Sequence, residues 1–303
     1  MADAATLRAD ALPWPLMAFA GFLAAAGLPL YVHLPHFAAS LGLSLPAIGL
    51  LLISLRCLDF VQDPVLGLLI DRFRNHRRGI AALAILGMSA GFAAVFTLQP
   101  GMAGLIVALV ILFTAYSLAS ILFYAQGVAI AARSPAQDHY RLAGFREAGA
   151  LAGIVVASAA PALLTAVFGD LQGYAVFGAI LAISGVAVWY CTGSLWAAEP
   201  VAQVRFSPAD FLAAGGGRLL ALGLVNTLPV AITSSLFLFF VEDRLHLGAW
   251  SGAFLVLFFV SAGMSAPQWS KAAARFGAVR VLVPAMSLSV LVFAGAAALP
   301  EGQ

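Results

Sequence analysis

Within the apolar stretch Pro46 to Ile70 stand Arg56, Asp59 and Asp63, and Pro64 follows at once. The stretch has helix length, and the three charges fall at i, i+3 and i+7, so one helical face carries all of them. A face with one guanidinium and two carboxylates cannot look at hydrocarbon. At bilayer depth each such group costs about 2.5–3.5 kcal/mol on insertion scales. It must look at other helices or at a hydrated cavity.

Composition sets the solvent. The chain is 63% hydrophobic and only 9% charged. Its mean hydropathy is +1.02. A water-soluble domain carries about 25% charged residues, so the expected class is an all-α polytopic membrane protein. Nine spans can be placed: Trp14–Leu34, Ile48–Ile70, Gly79–Leu98, Met102–Ala132, Ala143–Phe168, Tyr174–Trp196, Leu219–Val241, Trp250–Trp269 and Val279–Leu299. Each is near the roughly 20 residues that cross hydrocarbon. Cys57 and Cys191 fall inside spans and read as packing residues.

Basic residues alternate by loop. Arg72, Arg74, Arg77 and Arg78 follow the second span, Arg133 and Arg141 the fourth, Arg205 and Arg218 the sixth, and Lys271 and Arg275 the eighth. Arg244 is the exception on the opposite side. The positive-inside rule then places the N-terminus and these loops in the cytoplasm. The expectation is a multi-pass plasma membrane protein, in a bacterium one of the inner membrane. No basic patch suits nucleic acid, and no glycine loop suits a phosphate.

The expected domains are a six-helix bundle over 1–196, a linker over 197–218 and about three helices over 219–303. In the linker, Ser207, Pro208 and Asp210 read as N-cap, N1 and N3 of a short interfacial helix. Gly215, Gly216 and Gly217 then release the chain into the seventh span. A weak repeat runs at an offset of 203, where Pro64, Arg72 and Phe73 meet Pro267, Arg275 and Phe276. Internal duplication is a common plan of secondary transporters.

The segment Arg56-x-x-Asp59-x-x-x-Asp63-Pro64-x-x-Gly67-x-x-x-Asp71-Arg72, closing on Arg77-Arg78-Gly79, resembles helix two and its loop in the glycoside–pentoside–hexuronide:cation symporters. These are the melibiose permease-like branch of the major facilitator superfamily. Asp138-His139-x-x-Leu142-x-x-Phe145-Arg146 is a second match, with Asp-His where the family usually has Glu-Arg. The resemblance implies twelve helices in two bundles around a central cavity. This chain supplies nine, so the expectation is an incomplete copy, a natural truncation, or a partner that supplies the last three.

The resemblance makes Asp59 and Asp63 cation ligands. Paired carboxylates one turn apart can hold Na⁺ between their oxygens or share a proton, because like charges raise one another's pKa. The competing reading is a structural ion pair with Arg56. The family completes its site with Tyr-x-x-x-Asp in helix four; here Tyr116 and Ser117 are present but Ser120 stands at the acid's place. Ser117 and Ser120 are thus candidate oxygen ligands, otherwise small packing residues. Arg56, Tyr116, Tyr124 and Arg146 are the candidate solute-binding residues. Tyr124 falls where the family places an aromatic that stacks on a sugar, or is a core aromatic, and Arg146 matches an arginine that faces it, the competing readings being a cytoplasmic-end anchor or a partner for Glu147. The family's acid in helix one has no counterpart around Leu23. Asp71, Arg72, Arg77 and Arg78 resemble the superfamily's loop signature, which implies a cytoplasmic gate.

The expected function is a secondary active transporter, a cation-coupled symporter of a sugar or related small solute. The alternative is a non-transporting membrane protein: a sensor, an assembly factor or an incomplete fragment. No enzyme is expected, and no cofactor beyond the coupling ion, H⁺ or Na⁺. No metal site is expected beyond possible Na⁺ at Asp59 and Asp63. His33 and His36 lack further ligands and read as interfacial. The expected partners are the solute and the lipid bilayer.

Overall fold

The computed structural model describes residues 13–28, 41–98, 101–132, 136–197, 207–226, 240–247 and 250–298, with a few positions between 30 and 38 and Ser134. Among the described residues the regular structure is helical, with no strand. The main helices are α1 (Pro13–Leu28), α2 (Leu45–Arg72), α3 (Arg77–Phe92), α4 (Met102–Ala131), α5 (Ala136–Phe168), α6 (Asp170–Cys191), α7 (Pro208–Ala213), α8 (Ser251–Phe276) and α9 (Ala278–Ala297). Five stretches among the described residues are long and apolar enough to cross a membrane: Arg74–Thr97, Met102–Ala131, His139–Phe168, Leu171–Cys191 and Ala278–Ala296. α1 is shorter, at 16 residues. α2 is 28 residues long and reaches about 42 Å at 1.5 Å per residue. Residues 227–239 of the expected seventh span lie outside the described ones.

The chain divides into two compact units. The first comprises Met1–Val201 with Phe259–Gly277. In it α1 packs on α5, α3 on α4 and α6, and α2 on α4. Lipid tails are as apolar as leucine, so helices in a bilayer associate through close packing rather than hydrophobic exclusion. The α1–α5 seam follows that rule. Gly149 and Gly153 are four apart on α5, and a Cβ at either would collide with the Met17 or the Gly21 carbonyl of α1. Around this seam the core is aromatic. The Phe19 ring lies 5.3 Å from that of Phe123 and 5.0 Å from that of Trp196. Ser89 on α3 donates to the Ala182 carbonyl on α6 at 2.8 Å.

Several expectations shift. α5 begins at Ala136, seven residues before the expected span, because the polar run through Arg141 is already helical. Arg77 and Arg78 open α3 rather than lying in the loop, which is a single 3-10 turn over Arg74–His76. Cys57 and Cys191 are exposed on the outer sides of α2 and α6, not packed in the core. His33 is half-buried and bonds through Nε2 to the Ala157 carbonyl at 3.2 Å; His36 lies outside the described residues.

The second unit comprises Ala202–Phe258 and Ala278–Gln303. Here α7 starts as expected: the Ser207 hydroxyl accepts from the Asp210 N–H at 3.2 Å, and Pro208 needs no partner at the first helical position. Gly215, at φ 88°, makes the turn into helical residues 216–226. α9 is exposed along nearly its whole length. Of the offset repeat, Pro64 and Pro267 sit inside α2 and α8, and Arg72 and Arg275 stand in the last turns of those helices.

Candidate functional site

Two clusters of polar groups share α4 as a wall. The first lies between α2 and α4. Arg56 donates Nη1 to Asp59 Oδ2 at 3.1 Å. Gln62 donates Nε2 to Asp59 Oδ1 at 3.0 Å, and its own carbonyl accepts the Thr114 hydroxyl at 2.7 Å. Asp59 is thereby held through both oxygens, with its side chain 15% exposed against 50% for Arg56. The Arg56 guanidinium also lies over the Phe113 ring, 5.9 Å from the centroid. Asp63 differs. Its Oδ1 is buried and has no hydrogen-bond partner among the described residues. An unsatisfied carboxylate oxygen at that depth costs about 1–3 kcal/mol, more when charged.

The second cluster lines a cavity of about 480 Å³ between α1, α4 and α5. Tyr116, Ser120 and Tyr124 come from α4, and Arg146 and Glu147 from α5. Leu23, Leu28 and Ile154 supply apolar wall. Arg146 Nη2 is 2.8 Å from Glu147 Oε1. Its guanidinium carbon is 5.7 Å from the Tyr124 centroid, a cation–π arrangement. Gly27 makes room for the Tyr116 phenol, whose hydroxyl would meet any Cβ at that position. A charged pair beside an aromatic face on an otherwise apolar wall can orient a small polar ligand.

Four sequence-predicted residues, Tyr116, Ser120, Tyr124 and Arg146, therefore meet at one cavity. Arg56 and the two aspartates stand apart from it, on the α2 side of α4. Ser117 is buried on α4 and lines neither cluster. Of the expected gate residues, Asp71, Arg72 and Arg78 are exposed. Arg77 is buried, donating to the Gln126 carbonyl at 2.5 Å, while Gln126 donates to the Leu195 carbonyl at 2.7 Å. Arg78 lies 5.8 Å from the Trp189 centroid. Sequence reasoning missed Gln62 as a partner of Asp59, Thr114 as the donor to Gln62, and Glu147 as a cavity residue. Gln62 had a signal in its i+3 spacing from Asp59.

The family model described as MFS/sugar transport protein matches residues 16–303. The chain belongs to that family. No curated protein matches it. As a member of the MFS/sugar transport protein family it is a multi-pass membrane protein of major facilitator type.

Proposed function

We propose that this family member is a cation-coupled symporter of a sugar or a related small solute, working by alternating access. The solute binds in the cavity of Tyr116, Ser120, Tyr124, Arg146 and Glu147. Arginine offers several donors to hydroxyls or to a carboxylate, and Glu147 offers acceptors where the resembled family uses acids that this chain lacks. The coupling ion, H⁺ or Na⁺, binds at Asp59 and Asp63. The observation that carries this reading is the contrast within the pair: Asp59 is fixed by Arg56 and Gln62, whereas Asp63 keeps a buried oxygen without a partner among the described residues.

A cation at that oxygen removes the penalty of an unpaired buried charge. Loading it favours the occluded, solute-loaded state. Moving the cation down its gradient then drives the solute uphill. The test is uptake by proteoliposomes under an imposed Na⁺ or H⁺ gradient. Asp59→Asn and Asp63→Asn abolish accumulation against a gradient while leaving membrane insertion intact. Undiminished accumulation in both variants refutes the coupling role.

A further inference from the structure

Gly27 of α1 and Tyr116 of α4 meet at the cavity that holds Arg146 and Glu147, and both line it. Gly27 is buried near the end of α1, and Tyr116 is half-buried on α4. A Cβ on Gly27 would stand 2.4 Å from the Tyr116 hydroxyl oxygen, 3.0 Å from its Cζ and 3.3 Å from its Cε2. The phenol thus lies back into a recess that only glycine leaves open. This contact differs from those at Gly149 and Gly153, where a Cβ would meet the fixed backbone of α1. Here it would meet the far end of a side chain, which a small χ rotation displaces. The hydroxyl would have to retreat by about 1 Å to reach ordinary contact distance. The open space that the ring borders is the cavity itself. Ser120 lies one helical turn further along α4, on the same cavity.

We propose that Gly27 is the size-determining position of this cavity. Having no Cβ, it lets the Tyr116 ring lie back against α1, and the depth so gained sets the largest solute admitted beside Ser120 and Arg146. In this role Gly27 is a positioning residue that acts through Tyr116. The proposal rests on reading the cavity as the solute's. Gly27→Ala still folds, because the ring gives way rather than the helix. The displaced ring then fills room that a larger solute needs. In a pocket, one methylene of room discriminates by about 10–200-fold.

The experiment uses the purified full chain with Cys57→Ser and Cys191→Ser, which remove the exposed thiols, and with Ser120→Cys as a reporter in the cavity. Labelling rates are measured with methyl and benzyl methanethiosulfonate, both uncharged. Gly27→Ala is expected to slow the benzyl reagent about tenfold and to leave the methyl reagent within about twofold. Tyr116→Phe added to Gly27→Ala returns the benzyl rate to that of Tyr116→Phe alone, because the atom nearest the new methyl group is gone. Gly127→Ala, whose Cβ meets nothing within 4 Å, changes neither rate. Equal slowing of both reagents overturns the proposal, as does an unchanged benzyl rate or a failure of Tyr116→Phe to restore it. A Gly27→Ala chain that does not fold also overturns it, because the ring then had nowhere to turn. A second arm follows the Tm of the chain that keeps Ser120, with xylose, galactose or lactose added. Gly27→Ala is expected to weaken stabilisation by lactose more than stabilisation by xylose, and the reverse order counts against the proposal. If none of the three stabilises the native chain, the sugar reading fails by itself, and the labelling rates still decide the role of Gly27.

Discussion

Thr114 of α4 donates its hydroxyl to the side-chain carbonyl of Gln62 on α2 at 2.7 Å. That bond orients the Gln62 amide so that its N–H₂ end meets Asp59. A carboxylate on one helix is thus positioned by a hydroxyl on another. Asp59 is therefore sensitive to any change in the spacing of α2 and α4.

Thr114→Val removes the orienting donor without changing volume much. It is expected to weaken the apparent affinity for the coupling ion by about tenfold, the value of one buried hydrogen bond. Gln62→Leu does the same or more. Uptake measured against Na⁺ concentration and against pH reads this as a rightward shift with maximal rate retained at saturating ion. An unchanged half-saturation in both variants would separate the Gln62–Thr114 pair from ion binding.

Arg146→Gln removes the cation over Tyr124 and frees Glu147 from its partner. Solute binding is expected to fall by at least about tenfold, since a charge-assisted hydrogen bond is worth about 1.5–3 kcal/mol. Tyr124→Leu is expected to cost less, because a cation–π contact contributes about 0.5–2 kcal/mol. Equilibrium binding of the transported solute to purified protein ranks the two variants.

Gly153→Ala and Gly149→Ala place a methyl group against backbone carbonyls of α1 that cannot rotate away. Each is expected to cost about 1–3 kcal/mol by overpacking. Gly79→Ala meets nothing within 4 Å and gains helix propensity, so it raises stability by about 0.5–1 kcal/mol. Thermal melting in one detergent compares all three. A Gly79→Ala loss equal to that of Gly153→Ala would show that close α1–α5 packing does not set the cost.

Gln126→Leu removes the close side-chain acceptor of the buried Arg77 guanidinium and leaves it only the longer contact to the Ala125 carbonyl at 3.5 Å. The expected loss is about 1.5–3 kcal/mol, the range for a hydrogen bond to a charged group. Arg77→Met together with Gln126→Leu is expected to recover much of it. A double-mutant cycle on melting temperature measures that coupling, and additive losses would assign Arg77 to the surface instead.

The helices themselves were legible in the residues. Apolar runs near twenty residues leave the backbone no alternative to helix in lipid, and the Ser207-Pro208-Ala-Asp210 start needed only local chemistry. Arg56, Asp59 and Asp63 on one face of α2 follow from helical spacing alone. Which helix that face meets does not. The pairing of Gln62 with Thr114, fifty-two residues on, depends on how α2 lies against α4.

Arg77 makes the same division clear. As a sequence it is one of four arginines near a loop, and charge alone assigns it to the cytoplasmic surface. In the fold it is buried on Gln126, because α3 starts two residues earlier than its hydropathy does. Glu147 is similar: beside Arg146 it reads as a local partner, and only the approach of α1 encloses the space that both line. The sequence alone determined membrane class, helix positions and the charged face of α2, because each rests on hydropathy or on spacing within one helix. The tertiary structure alone decided what that face touches, which polar groups share a cavity and which glycines allow α1 to reach α5. Those depend on distances between residues far apart along the chain.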